Sequence, residues 1–315
     1  MAAAAATPPA TDAPASREFA ATGFSTILAP PFGHRGCLMK AFKDLLVTID
    51  ASRDGRRRLA VAVAVELAQR GGAHLIGCYR AISLEPTAAS DLAEEWRAGL
   101  PAVSHEGTLA ESMEQRFYDD LARLDLHGTW LATGERPLDD VVGFTRTADL
   151  AIVGLGDPDR VEDNPQGFQP EDLILAAGRP VLGIPTANVP KRLGSTVLVA
   201  WEGSRAASRA MNDALPLLAA AERVTVLSIG AEDRALPMAE AAAAHLRRHG
   251  APAEASRAAD DDLGIGDVIL AHADRLNADL VVAGAYGHSR MSHAILGGVS
   301  RTLLRQMMVP VLMSH

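Results

Sequence analysis

The chain has 315 residues, of which 48% are hydrophobic, 22% charged and 4% aromatic, a composition typical of a soluble globular protein of about two domains. Its 30 Lys and Arg residues against 39 Asp and Glu residues give a formal net charge of -9, which disfavours binding to nucleic acid or to an anionic membrane surface. Its two cysteines, Cys37 and Cys78, cannot build a disulfide framework and fit a reducing compartment.

Residues 1–41 are rich in Ala, Pro and Thr and lack hydrophobic periodicity, which predicts a disordered tail. No basic segment precedes an apolar core in this tail, so it does not resemble a secretory signal. No stretch of the chain approaches the roughly 18 uncharged apolar residues that a membrane-spanning helix needs. We therefore expect a cytoplasmic protein without a membrane anchor.

After this tail the chain repeats itself. In each copy an apolar run of strand length ends in a carboxylate, a small residue and a serine, and the two openings stand 152 residues apart, at 45–52 and 197–204. The copies also close alike, at an offset of 130 residues. The closing segments that match are 148–154 with 278–284 and 179–182 with 309–312. The duplication predicts two tandem domains, 42–190 and 191–315.

In the first copy, short apolar runs alternate with helical patterns, which predicts parallel strands joined by crossover helices. The predicted strands are 43–49, 73–80, 128–133, 149–154 and 180–184. This copy is longer in its middle, where an amphipathic stretch at 105–124 predicts an additional surface helix.

The second copy has the same order of elements. Its predicted strands are 195–201, 223–229, 252–256, 279–284 and 309–313, and its predicted helices are 205–220, 237–249, 267–277 and 300–307. Ser204 is suited to cap the first of these helices, and Gly250 to end the second. Each copy is therefore predicted to be an α/β domain with a doubly wound, five-stranded parallel sheet.

Ligands of open parallel sheets bind at the carboxyl ends of the strands where the winding direction switches, which indicates the loops after the first and fourth strands. In the second copy the later of these loops is rich in glycine and precedes a helix. Glycines let the backbone approach a ligand closely, and free amides at the start of a helix favour phosphate. The candidate residues in this loop are Gly284, Gly287, His288, Arg290, Gly297, Gly298, Val299 and Ser300. A plain strand-to-helix connection is the alternative interpretation.

The spacing Gly-x2-Gly-x9-Gly, followed within three residues by Ser, resembles the ATP-binding loop of the universal stress protein family. The resemblance covers residues 42–315 as two tandem copies. It implies an adenine nucleotide alpha hydrolase-like fold for both copies, packed as an intramolecular pseudo-dimer with pseudo-two-fold symmetry. It also implies pairing through the last strands, 181–184 and 309–313, and leaves a further homodimer open.

The same resemblance implies a role in the stress response, with ATP, accompanied by Mg²⁺, bound as a regulatory signal. In the family the acidic residue after the first strand contacts the adenosine, and the glycine loop holds the ribose and phosphates. By position Glu202, which follows Ala200 and Trp201, takes the acidic role. Three positions depart from the family pattern: Glu202 replaces the usual Asp, bulky Trp201 precedes it, and Gly298 stands where Ser or Thr is usual.

The first copy keeps a carboxylate, Asp50, but not the glycine loop. At the aligned positions it has Asp157 and Phe168 in place of two glycines, and Pro170 in place of the serine. Proline lacks the amide that would point at an anion, and an aspartate repels phosphate. We therefore expect the first domain to be a structural or regulatory partner without a nucleotide of its own.

Catalytic and metal-binding motifs are not evident. The sequence has no Gly-x4-Gly-Lys-Ser/Thr loop, no Gly-x-Ser-x-Gly elbow and no His-Glu-x-x-His pair, so we assign no catalytic residue. His245 and His249 stand four residues apart without a third ligand nearby in sequence, and we interpret them as part of a solvated helix face. A scaffold protein that binds no nucleotide and a slow ATPase remain as alternatives to a nucleotide-binding stress protein.

Overall fold

The computed structural model describes residues 42–50, 56–80, 105–134, 136–155, 169–185, 190–259, 264–285 and 298–315. The predicted tail lies outside these ranges. None of the helices described is long and apolar enough to cross a membrane.

The first half supplies five of the strands and four of the helices that the structure describes. Its strands are β1 (Asp44–Asp50), β2 (His74–Arg80), β3 (Gly128–Ala132), β4 (Leu150–Gly154) and β5 (Val181–Ile184). Its helices are α1 (Arg56–Gly71), α2 (His105–Arg123), α3 (Pro137–Thr145) and α4 (Pro170–Ala177). The five predicted strands and the amphipathic helix are thus confirmed to within two residues at each end.

The second half repeats this order of strands. Its strands are β6 (Thr196–Ala200), β7 (Arg223–Ile229), β8 (Ala253–Ala258), β9 (Leu280–Gly284) and β10 (Val311–Ser314). Its helices, within the described ranges, are α5 (Arg205–Asp213), α6 (Leu215–Ala219), α7 (Glu232–Arg248), α8 (Ile265–Leu276) and α9 (Gly298–Gln306).

Two helix predictions were wrong in their bounds. The helix predicted over 205–220 is divided into α5 and α6, because Pro216 cannot donate a backbone hydrogen bond and its ring crowds the carbonyl one turn earlier. Helix α7 begins at Glu232, five residues before the predicted start, and Pro237 lies inside it. Its first turn contains Glu232 and Asp233, whose charges suit the positive end of the helix dipole.

All ten strands form one sheet, in the order β3-β2-β1-β4-β5-β10-β9-β6-β7-β8. Neighbouring strands are parallel within each half, and the winding direction reverses between β1 and β4 and again between β6 and β9. The two halves join where β5 pairs antiparallel with β10, with Leu182 opposite Leu312. The predicted pairing of the last strands is therefore confirmed, and the second half follows the first in mirror order along the sheet.

The same hydrogen bonds recur in both halves at the start of the fourth strand. Asp149 accepts hydrogen bonds from the amides of Lys43, at 2.6 Å, and Asp44, at 3.1 Å. Asp279, which is 130 residues further on, accepts from three successive amides at 194–196, at 2.8 to 3.2 Å. Burial nevertheless raises the pKa of Asp279, against the lowering effect of these hydrogen bonds. These carboxylates connect the start of the fourth strand of each half to the start of the first strand. The two halves therefore share equivalent hydrogen bonds as well as the same order of strands.

Contacts between side chains and backbone also join the two halves. Arg70 on α1 donates a hydrogen bond to the carbonyl of Leu193 at 2.8 Å and pairs with Glu66 at 3.0 Å. In the opposite direction, Arg209 on α5 donates to the carbonyl of Gly178, at 2.9 Å. The first helix of each half is thereby bound to the other half.

The core lies along the sheet and beneath the helices. Leu182 and Leu312, at the junction of the halves, are both 0% exposed. Cys78 on β2 is also buried, and burial raises the pKa of its thiol to about 12. This cysteine therefore stays protonated and packs as a small apolar side chain, as its residue type predicts.

The leucine pair at the junction gives a test of the fold. We expect Leu182→Ala and Leu312→Ala each to lower the free energy of unfolding by about 2 to 5 kcal/mol, because each removes a fully buried side chain and leaves a cavity. Leu175→Ala is the control, since Leu175 is 43% exposed. Urea unfolding measures all three variants, and a loss below about 1 kcal/mol in both core variants would contradict this description of the junction.

Candidate functional site

The carboxyl ends of β6 and β9 lie side by side, with Ala200 of β6 paired with Ala283 of β9. The winding direction reverses between these strands, so two chain segments diverge at this edge of the sheet. Trp201 follows β6 and is half-buried, and Glu202 is exposed. The structure thus brings together the predicted residues 200–202 and Gly284, the last residue of β9.

The segment between β6 and α5 holds the carboxylate of Glu202 in place. The Ser204 hydroxyl donates a hydrogen bond to Glu202 Oε1, and the Ser204 oxygen accepts one from the amide of Ala207 at 3.1 Å as the N-cap of α5. Gly203 between them has φ +73°, a left-handed conformation, and a Cβ there would come within 2.9 Å of Met238 Cε. The carboxylate is therefore oriented beside the positive end of a helix.

The backbone of Trp201 is fixed from the neighbouring strand β7. Its amide donates to the carbonyl of Leu227, at 2.8 Å, and its carbonyl accepts from the Ser228 hydroxyl, at 2.7 Å. The Ser228 hydroxyl is buried, so this hydrogen bond is shielded from water. The residue before the carboxylate thus has little freedom to move.

Gly284 has a structural role that the sequence analysis did not identify. A Cβ on this residue would lie 2.4 Å from the amide nitrogen of Ala207 and 2.7 Å from the carbonyl carbon of Ala206. Both atoms belong to the first turn of α5, so β9 and α5 pack directly backbone to backbone at this point. The sequence pattern indicated a glycine for ligand approach, whereas the geometry requires a glycine for packing.

The start of α9 follows the loop that the sequence predicts to bind phosphate. Gly298 is exposed, and a Cβ there would meet no atom within 4 Å. Val299 is half-buried, and Ser300 is only 3% exposed. The other predicted loop residues, Gly287, His288, Arg290 and Gly297, lie outside the described residues.

The corresponding helix of the first half, α4, begins differently. Its N-cap Gln169 forms a capping box with Asp172, whose carboxylate accepts the Gln169 amide at 3.0 Å. Pro170 occupies the first helical position and has no amide hydrogen. The side chains of α4 therefore satisfy amides that would otherwise be available to an anion.

A protein-bound metal centre is not evident at either edge. Among the residues within the described ranges, no three His, Cys, Asp or Glu side chains are grouped so as to hold a metal ion. A Mg²⁺ ion would then depend mainly on phosphate oxygens and water, which is the common arrangement for this ion with nucleotides.

Comparison with known proteins agrees with this geometry. A universal stress protein from Archaeoglobus fulgidus is 15% identical, with a TM-score of 0.64, and the match covers 87% of this chain and 96% of that chain. A candidate universal stress protein from Pseudomonas aeruginosa is 16% identical, with a TM-score of 0.56, and covers 87% of this chain and 93% of its own. The chain therefore has the adenine nucleotide alpha hydrolase-like fold.

The family follows from the sequence itself. Residues 195–315 match the model of the universal stress protein family. The second half of this chain therefore belongs to the universal stress protein family, and the first half repeats its fold. A member of that family from Arabidopsis thaliana was solved with AMP bound; it is 20% identical, with a TM-score of 0.30, and covers 37% of this chain and 88% of its own. No curated protein gave a significant match.

The two glycines at the site give a matched pair of variants. We expect Gly284→Ala to lower the free energy of unfolding by about 2 kcal/mol or more, because the new methyl group collides with helix backbone that cannot rotate away. Gly298→Ala should change it by less than about 1 kcal/mol, since the space there is open. Urea unfolding compares them, and equal losses would contradict the packing role of Gly284.

Proposed function

We propose that the second half binds an adenine nucleotide, ATP with Mg²⁺, at the edge formed by β6, β9 and the start of α9. The difference between the two halves carries this proposal. Helix α9 begins at an exposed glycine with open space around it, whereas α4 begins with a proline and a capping box. As far as the described residues extend, the second of these two helix starts is the one that suits a phosphate.

The residues around the edge suit different parts of the nucleotide. Glu202 presents an oriented, exposed carboxylate, which accepts hydrogen bonds from the hydroxyl or amino groups of a nucleoside. The amides at the start of α9 suit the phosphates, with Gly287, His288, Arg290 and Gly297 of the preceding loop proposed as further contacts. Trp201, beside the carboxylate, offers an aromatic face for the base.

The proposed role is binding rather than turnover. The sequence has none of the nucleotide-hydrolysing motifs named above, so the bound nucleotide would act as a regulatory signal. The protein would then act in the stress response by presenting different surfaces with and without nucleotide. The first half would serve as its structural partner, since its own helix start is closed by side chains.

A scaffold function without nucleotide is the second candidate. The packing of Gly284 against α5 favours it, because this motif glycine is required whether or not a ligand binds. Calorimetric titration of the full chain with ATP and with AMP separates the two functions. Absence of heat at millimolar nucleotide would favour the scaffold.

The carboxylates of the two halves provide the matched test. We expect Glu202→Gln to weaken ATP binding by about tenfold or more, because a hydrogen bond to a charged group contributes about 1.5 to 3 kcal/mol. Asp50→Asn, at the equivalent position of the first half, should leave the affinity unchanged. Isothermal titration calorimetry measures the ATP affinity of both variants. An equal loss of affinity in Asp50→Asn would contradict the proposal that the nucleotide binds in the second half.

A further inference from the structure

Helix α7 carries a pair of histidines on the outside of the sheet, apart from the proposed nucleotide site. The helix packs inward through small and apolar side chains, namely Ala235, Ala239, Ala242, Ala243 and Leu246. His245 is half-buried at the border of this apolar face, and His249, the C-cap residue, is exposed. The two residues are one helical turn apart, so their side chains are neighbours on the surface.

The two imidazole rings lie at a separation suited to a shared ligand. Their centroids are 4.6 Å apart and their planes are inclined by 49°. A divalent transition metal binds an imidazole nitrogen at about 2.0 to 2.1 Å, so two imidazoles at right angles around one ion have ring centres about 4.5 Å apart. The separation of the ring centres is therefore compatible with two imidazoles that bind one metal ion.

One ring nitrogen of this pair forms no hydrogen bond with the described residues. His245 Nε2 is shielded from solvent and has no hydrogen-bond partner among the described residues. A metal ion would satisfy this nitrogen.

The surrounding charges are mixed. Arg247 is engaged elsewhere, because it donates to the carbonyl of Ala253 at 2.9 Å and pairs with Glu240 at 3.5 Å. Arg248 is exposed, and its charge opposes a cation. The pair stands at the carboxyl end of α7, where the helix dipole favours positive charge.

We propose that His245 and His249 form a two-imidazole clip for a divalent transition-metal ion, with Cu²⁺ bound most tightly. Imidazole suits Zn²⁺, Ni²⁺ and Cu²⁺, and affinity along this series is greatest for Cu²⁺. Water completes the coordination on the side of His249, which is exposed.

The test is titration of the full chain with Cu²⁺, followed by paramagnetic broadening of the backbone amide resonances around 245–249. We expect broadening centred on this turn at substoichiometric Cu²⁺. His245→Gln and His249→Gln should each weaken binding at this turn by about tenfold or more, because a single imidazole cannot chelate. The control is His272→Gln, since the ring of His272 is bonded through Nδ1 to the carbonyl of Val268 at 2.9 Å and stands alone on α8.

A rescue variant separates chelation from general effects on the helix. Ala241 is exposed and stands one turn before His245, so Ala241→His combined with His249→Gln rebuilds the pair one turn earlier. We expect this double variant to regain Cu²⁺ affinity to within about threefold of the wild type. Unchanged binding in His249→Gln, an equal loss in His272→Gln, or no regain in the double variant would each overturn the proposal.

Discussion

The antiparallel pairing of β5 with β10 is the constraint on which the rest of the structure depends. Without it, each half would expose the edge strand of a parallel sheet whose residues are now all buried, a surface prone to association. With it, the ten strands become one sheet. The strands of the two halves run in opposite directions. The carboxyl ends of the first-half strands therefore lie at one end of the strands of the sheet, and those of the second-half strands lie at the other end. The loops that follow the strands of the two halves are thus separated from each other.

The two halves retained the framework and diverged at the ligand edge. Asp149 and Asp279 fasten the same strands through the same kind of hydrogen bonds, so the duplicated framework is nearly unchanged there. At the helix that follows the fourth strand, the first half has a capping box and the second half an exposed glycine. The two helix starts thus differ by a few residues, and those of α4 satisfy amides that an anion would otherwise bind.

Much of the fold was predictable from sequence because buried parallel strands are short apolar runs, and the first, fourth and fifth runs of the two copies stood at matching offsets. The division between α5 and α6 was missed although Pro216 signalled it. The packing role of Gly284 and the hydrogen bonds of Arg70 and Arg209 between the halves depend on residues distant in sequence, which local patterns do not reveal. The spacing of His245 and His249 was visible, but not the closeness of their rings.

Amide hydrogen exchange of the full chain, with and without saturating ATP, tests most directly whether only the later half is a nucleotide site. We expect slower exchange at 201–204 and at the start of α9, because a bound nucleotide orders both segments, and no change at the start of α4. Protection at the start of α4, or no protection anywhere with ATP bound to the protein, would contradict this account.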